Sequence, residues 1–130
     1  MLSRGESVTS KVYEFIPLDT FGQRLTRFPQ KDKEKIKRKI EEMLSAYPYR
    51  FPMLTGPINL DGLNIRGLRH MKTGVSGIKG GAYVLYRICE ECKKNQYHTK
   101  SDAPCAFCAN TKDNHIVLFD VGPRSDDYSR

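Results

Sequence analysis

The chain has 130 residues, 38% of them hydrophobic and 28% charged, the bulk profile of one soluble domain with its own core. No apolar run nears the roughly 20 residues that span a bilayer, and Met1 to Ser7 lacks an apolar stretch of leader type. The formal net charge of +7 reads either as a basic surface that keeps the chain soluble or as a polyanionic or acidic partner, nucleic acid or an acidic protein.

In chain order, Lys11 to Ile16 is rich in aromatic and β-branched residues and predicts a strand stopped by Pro17. Phe21, Leu25 and Phe28 recur at helical spacing and predict a short helix. Lys31 to Ala46 predicts a longer one. Ile36, Ile40, Met43 and Leu44 form its apolar stripe, and Lys31, Lys33, Lys35, Lys37, Arg38 and Lys39 stand on the other side among Asp32, Glu34, Glu41 and Glu42. The plainer meaning of that charge run is a solvated face, the sharper one a contact with RNA or a partner. Pro48 ends the helix, and the prolines and glycines of 48–62 predict a connection with little regular structure.

A kinked strand is expected over Leu63 to Lys72, bulged at Gly67 and dense in cations: Arg66, Arg69, His70 and Lys72. After the glycines at 74, 77, 80 and 81, strands are expected over Ile78–Ile88 and His115–Val121. The whole predicts an α+β domain over 1–130, with two N-terminal helices packed on a small, mainly antiparallel curved sheet.

Between the last two strands lie Cys89-Glu-Glu-Cys92 and Cys105-Ala-Phe-Cys108, with twelve residues between the hooks. These are the chain's four cysteines, and the spacing is that of a closed, structural zinc site made of four thiolates, a zinc-ribbon-like insert over 89–108 stapling the tip of a hairpin. Its residues 93–104 hold almost no core-forming side chains, so metal binding would supply the missing free energy, about 10–16 kcal/mol in zinc-finger peptides. His98 is a possible ligand that four cysteines do not require. Cysteines confined to hooks, with no leader-like segment, suggest a reducing, cytoplasmic setting. Lys93, Lys94, Tyr97 and His98 suit phosphate contact and base stacking, and equally an ordinary solvated loop.

With the insert set aside, the second half reads Leu68-Arg-His-Met-Lys72, a glycine turn, Gly81-Ala-Tyr-Val-Leu-Tyr-Arg-Ile88, then His115 to Arg124 and Tyr128. This pattern resembles the RelE/ParE superfamily of toxin–antitoxin toxins, above all its mRNA-cleaving branch. The resemblance implies a RelE-like fold and a ribosome-dependent endoribonuclease in which the ribose 2′-OH attacks the adjacent phosphate without a catalytic metal. It also implies an antitoxin protein as partner and mRNA on the ribosome as substrate, with no membrane. It places catalytic duty on Arg69, His70, Lys72, Arg124 and Tyr128, and RNA contact on Arg66, Lys79, Arg87, Lys93 and Lys94. Arg124 would stabilise the phosphorane, Tyr128 would stack on a base or assist proton transfer, and His70 could serve as general base. One position departs from the family: the strand after the glycine turn carries Tyr83 or Val84 where the nucleases often have arginine. A non-catalytic RNA- or ribosome-binding module of this fold, or a ParE-like toxin acting on DNA gyrase, are the alternatives.

Overall fold

A computed structural model describes residues 12–60, 62–75, 77–102 and 111–124. In chain order it contains β1 (Glu14–Pro17), α1 (Asp19–Leu25), α2 (Gln30–Ala46), β2 (Ile58–Leu60), β3 (Leu63–Ile65), β4 (Arg69–Val75), β5 (Ile78–Ile88), α3 (Cys89–Asn95), a 3-10 turn (Tyr97–Lys100) and β6 (His115–Pro123). The fold is α+β. The main sheet is mixed, in the order β1-β6-β5-β4, and β2-β3 forms a separate small hairpin. β5 runs antiparallel to both neighbours, and β1 runs parallel to β6.

Alternation along the central strands sends side chains to two buried faces. On one face Met71, Val84, Tyr86, Ile116 and Leu118 meet Phe21 and Leu25 of α1 and Ile36, Ile40 and Leu44 of α2. Those three α2 residues fall at intervals of four, so one stripe covers the sheet and the lysine-rich remainder faces out. Pro48 stops α2, and its carbonyl accepts from the buried Tyr86 hydroxyl at 2.5 Å.

The opposite face is covered too. Tyr83, Leu85, Val117 and Phe119 pack there with Leu60 and Ile65 of the small hairpin, Leu68, and both cysteines of the first hook. Instead of standing at a hairpin tip, the described part of the insert, 89–102, folds back over the sheet. Tyr97 lies where a Cβ on Gly67 would sit (2.3 Å from its ring), and its hydroxyl donates to Met53 Sδ at 3.3 Å. Asn64 and Asp102 then exchange two hydrogen bonds, each 2.9 Å.

Two chain segments differ from the sequence reading. The strand expected over Leu63 to Lys72 is two strands, because Gly67 at φ +77° breaks the chain and opens the place Tyr97 fills. The connection 48–62 is not wholly irregular: it contributes β2, and Pro52 and Leu54 bond the outer edge of β4 through His70 N–H to Pro52 O and Leu54 N–H to Leu68 O, both at 2.9 Å. Among the described residues no helix is long and apolar enough to cross a membrane.

Candidate functional site

The antiparallel registers put Lys72 beside Tyr83 and Tyr83 beside Gly122, a row across three strands on the face away from the helices. Gly122 has to be small, since a Cβ there would meet the Tyr83 ring at 2.7 Å. The ring slides over that gap and its hydroxyl donates to Asp120 Oδ2 at 2.9 Å. Behind it stands His70, 2% exposed, its ring stacked on Tyr83 with centroids 6.1 Å apart.

Asp120 is fully buried, which demands compensation for a carboxylate. Besides Tyr83 it accepts from Val121 N–H at 2.9 Å and from Arg24 Nε at 3.1 Å. Topology permits the Arg24 contact. β1 pairs with β6 only as far as Leu118, so beyond that point α1 packs beside β6 instead. Arg24, Arg27, Phe28, Tyr83, Val121, Gly122 and Pro123 line a cavity of about 250 Å³ at this end of the sheet. The exposed Arg124 follows directly. Lys79, at the start of β5, lies toward the same end.

The cations predicted from the sequence therefore divide. By strand position Lys72, Lys79 and Arg124 belong to the end of the sheet that holds the cavity, and His70 stacks on Tyr83 there. Arg66, Arg69, Arg87, Lys93 and Lys94 lie toward the other end, with the insert. Tyr128 is outside the described residues. Arg69 is bound on all sides: Nε and a terminal nitrogen hold Glu91 at 3.0 and 2.6 Å, and its other terminal nitrogen donates to the carbonyls of Tyr49 and Phe51 at 3.1 and 2.6 Å. The bond to Glu91 raises its pKa further still. Arg87 is fully buried, its guanidinium 5.3 Å from the Phe119 ring centroid, and it donates to Arg66 O and to Ser101 Oγ. Lys93 donates to Thr111 O and pairs with Asp113 at 3.2 Å. Arg66 and Lys94 are exposed.

Arg24, Arg27, Tyr83 and Asp120 were not singled out from the sequence as site residues. Tyr83 had a signal there, as the position where the family motif departs. Of the two neighbouring positions, Tyr83 faces the row while Val84 is in the helix-side core.

The first cysteine hook forms the opening turn of α3, with Cys89 and Cys92 both buried on the sheet. Three residues apart on a helix, they share one side, as joint metal ligands must. His98 Nδ1 stands 3.7 Å from Cys92 Sγ. Cys105 and Cys108 lie outside the described residues. Among the described residues no three histidine, cysteine or acidic side chains form a group that could hold a metal ion. The first hook is also tied to the host domain, through Glu91 to Arg69 and through the Tyr49 hydroxyl, which donates to Glu90 at 2.9 Å. Burial, reinforced by that bond, pushes the Tyr49 phenol well above its ordinary range.

No protein-family model, curated protein or solved structure matches the chain.

Proposed function

We propose that this chain is the toxin of a toxin–antitoxin pair, a RelE-like endoribonuclease acting on ribosome-bound mRNA, with a structural zinc in its insert. The observation that carries the reading is the cavity at the sheet end lined by Arg24, Arg27, Tyr83 and Gly122, where Arg24 and Tyr83 both bond the buried Asp120, Lys72 pairs with Tyr83 in register, and Arg124 follows the lining residue Pro123 in the chain. An RNA phosphate is the fitting guest for such a cavity. In the transition state, negative charge grows on the phosphoryl oxygens, and positioned guanidinium groups stabilise it most where water is excluded.

Arg27 and Arg124 are the proposed phosphorane clamps, with Lys72 a further cation at the rim. Tyr83, hydrogen-bonded to Asp120, is proposed to exchange a proton with the 2′-OH or the departing 5′ oxygen. Arg24 anchors Asp120 from α1 and brings positive charge where the family motif lacks its arginine. Tyr128 is proposed to contact the base. Zinc would be held by the cysteine hooks, away from this chemistry, and would supply folding free energy to the insert.

The decisive experiment is primer extension on ribosome-bound message with purified wild type and the Arg27→Ala and Arg124→Ala variants. Discrete cleavage by wild type, reduced at least about 100-fold in both variants, is expected for transition-state clamps. Salt-sensitive RNA binding without any cleaved product would favour a non-catalytic RNA-binding module. The commitment of Arg69 and Arg87 to internal bonds supports that second reading. Inhibition of DNA gyrase with message intact would replace both. An acidic antitoxin segment suits the net charge of +7, and its co-expression should relieve growth arrest.

A further inference from the structure

We propose that the sheet-end cavity holds one nucleotide turned out of the RNA stack, its base lying flat on Phe28, and that it does so whichever base is presented. The inference rests on the nuclease reading above and names the part of the message that enters this site.

The cavity measures about 250 Å³, below the roughly 300–1,000 Å³ of pockets that enclose a whole drug-sized ligand. It therefore suits a single base rather than two stacked ones. Its lining has two characters. Phe28, Val121 and Pro123 contribute an apolar part, Arg24 and Arg27 a cationic part. A nucleotide divides in the same way, into a flat base and a phosphate. A base inside a duplex has both faces covered by its neighbours, so the guest is single-stranded.

The polar side chains of the lining are not equally engaged. Arg24 Nε and the Tyr83 hydroxyl both bond Asp120, at 3.1 and 2.9 Å. Arg27 is exposed, and its guanidinium forms no hydrogen bond or ion pair among the described residues. Arg27 is thus the lining cation assigned to the phosphate. With Arg27 so placed, no side chain of the lining remains to read a base edge, and an aromatic face accepts every base.

Phe28 is held as a stacking platform must be. The N–H groups of Arg27 and Phe28 donate to the carbonyls of Arg24 and Leu25, both at 3.1 Å, in a tightened turn that closes α1. Pro29, at φ −57°, opens α2 directly after. The ring is half-buried, packed on the helix-side core while also lining the cavity. A side chain fixed in this way loses little freedom when a base settles on it. The nucleotide assigned to the platform is the one carrying the attacking 2′-OH, since its orientation sets the line of attack on the phosphate. This surface adds to the base contact proposed for Tyr128.

Single-turnover cleavage of ribosome-bound message tests the inference with the wild-type chain alone. With each of the four bases in turn at the nucleotide bearing the 2′-OH, rates should agree within about fivefold. An abasic ribonucleotide there keeps the 2′-OH and the phosphate. It should slow cleavage at least tenfold, one base stack being worth roughly 5- to 150-fold. Phe28→Leu should cause a similar loss on the natural message and no further loss on the abasic one, and Phe28→Tyr, which keeps a flat ring, should recover most of it. Equal slowing of both messages by Phe28→Leu would mark a merely structural role and overturn the inference, as would full-rate cleavage of the abasic message. A preference above about tenfold for one base would overturn the indifference to base identity. If the wild type cleaves no message, the nuclease reading falls, and a single-stranded RNA containing 2-aminopurine then decides the platform by itself. Its fluorescence should be quenched by the wild type and by Phe28→Tyr but not by Phe28→Leu, and equal quenching by all three sinks the proposal.

Discussion

Arg69 illustrates how a strand cation can be absorbed into the framework. Its planar fork grips Glu91 with two bonds, reaches two backbone carbonyls and lies 5.3 Å from the Tyr49 ring centroid. The ion pair is mostly shielded, with side chains 14% and 12% exposed. Arg69→Ala would leave Glu91 and two carbonyls without that partner, and should cost about 3 kcal/mol in urea denaturation. Arg69→Lys should recover little of this, because an ammonium cannot reproduce the fork. Unchanged stability together with lost RNA cleavage would instead return Arg69 to the catalytic set. In the sequence Arg69 and Lys72 look alike, two cations on one cationic run. What absorbs Arg69 is Glu91, 22 positions away inside the insert, and no local pattern reveals that partner. Arg24 and Asp120 are the converse case. In the segment around α1 only the spacing of Phe21, Leu25 and Phe28 carried a message, and Asp120 read as one residue of an apolar strand. Their pairing exists only once α1 lies beside β6.

Among the elements, the long periodic ones were readable. The α2 stripe and the eleven-residue β5 follow from repeated apolar spacing, and the structure places them where that spacing puts them. The three-residue strands β2 and β3 are too short to show a period. The helix α3 was hidden for a different reason. Its buried positions are Cys89 and Cys92, which a motif reading spends on metal and does not count as core. Its left-handed end at Gln96 makes a clean test. Gln96→Gly should stabilise the fold by about 0.5–1 kcal/mol in equilibrium unfolding, since glycine accepts that conformation without a Cβ penalty. A loss of stability would mean that the glutamine side chain contributes more than the strain removes.

The link between the hook and the 47–53 connection should also register in alkali. Burial first, then the bond to Glu90, raises the Tyr49 pKa above its ordinary 10, and burial raises that of Tyr86 as well. The folded state therefore holds these protons more tightly than the unfolded chain. Their contribution is intact below pH 10 and is lost as pH climbs beyond it. Denaturation midpoints should stay level from pH 7 to 9 and fall above 10, and Tyr49→Phe should flatten that fall. A midpoint independent of pH up to 11 would refute the assignment.

For the whole molecule, the insert is the lid of a second core. Cys89, Cys92 and Tyr97 lie against the same apolar cluster as Tyr83, Leu85 and Phe119. Withdrawing the proposed zinc should therefore do more than loosen 89–108. Hydrogen exchange after chelation is expected to accelerate over 54–68 and 89–102, while α2 and the helix-facing side of β5 remain protected. Faster exchange confined to the insert would show that the second core stands without its lid. The two hooks were plain in the sequence and suggested a staple at a hairpin tip. The packing of the first hook on the sheet was not, because Gly67 and Tyr97, which make the fit, carry no joint signature thirty positions apart.

The placement of residues 89–114 between β5 and β6 also bears on the route by which the chain folds. These are the two central strands of the sheet, and their pairing has to close that whole segment. Compared with a four-residue turn, the closure costs roughly 1.7 kcal/mol more in chain entropy. An ion that gathers Cys89 and the second hook early would draw the strand ends together before they pair. Zinc would then act on the speed of folding as well as on its end point, and a metal-starved nascent chain would linger with its two most apolar strands apart.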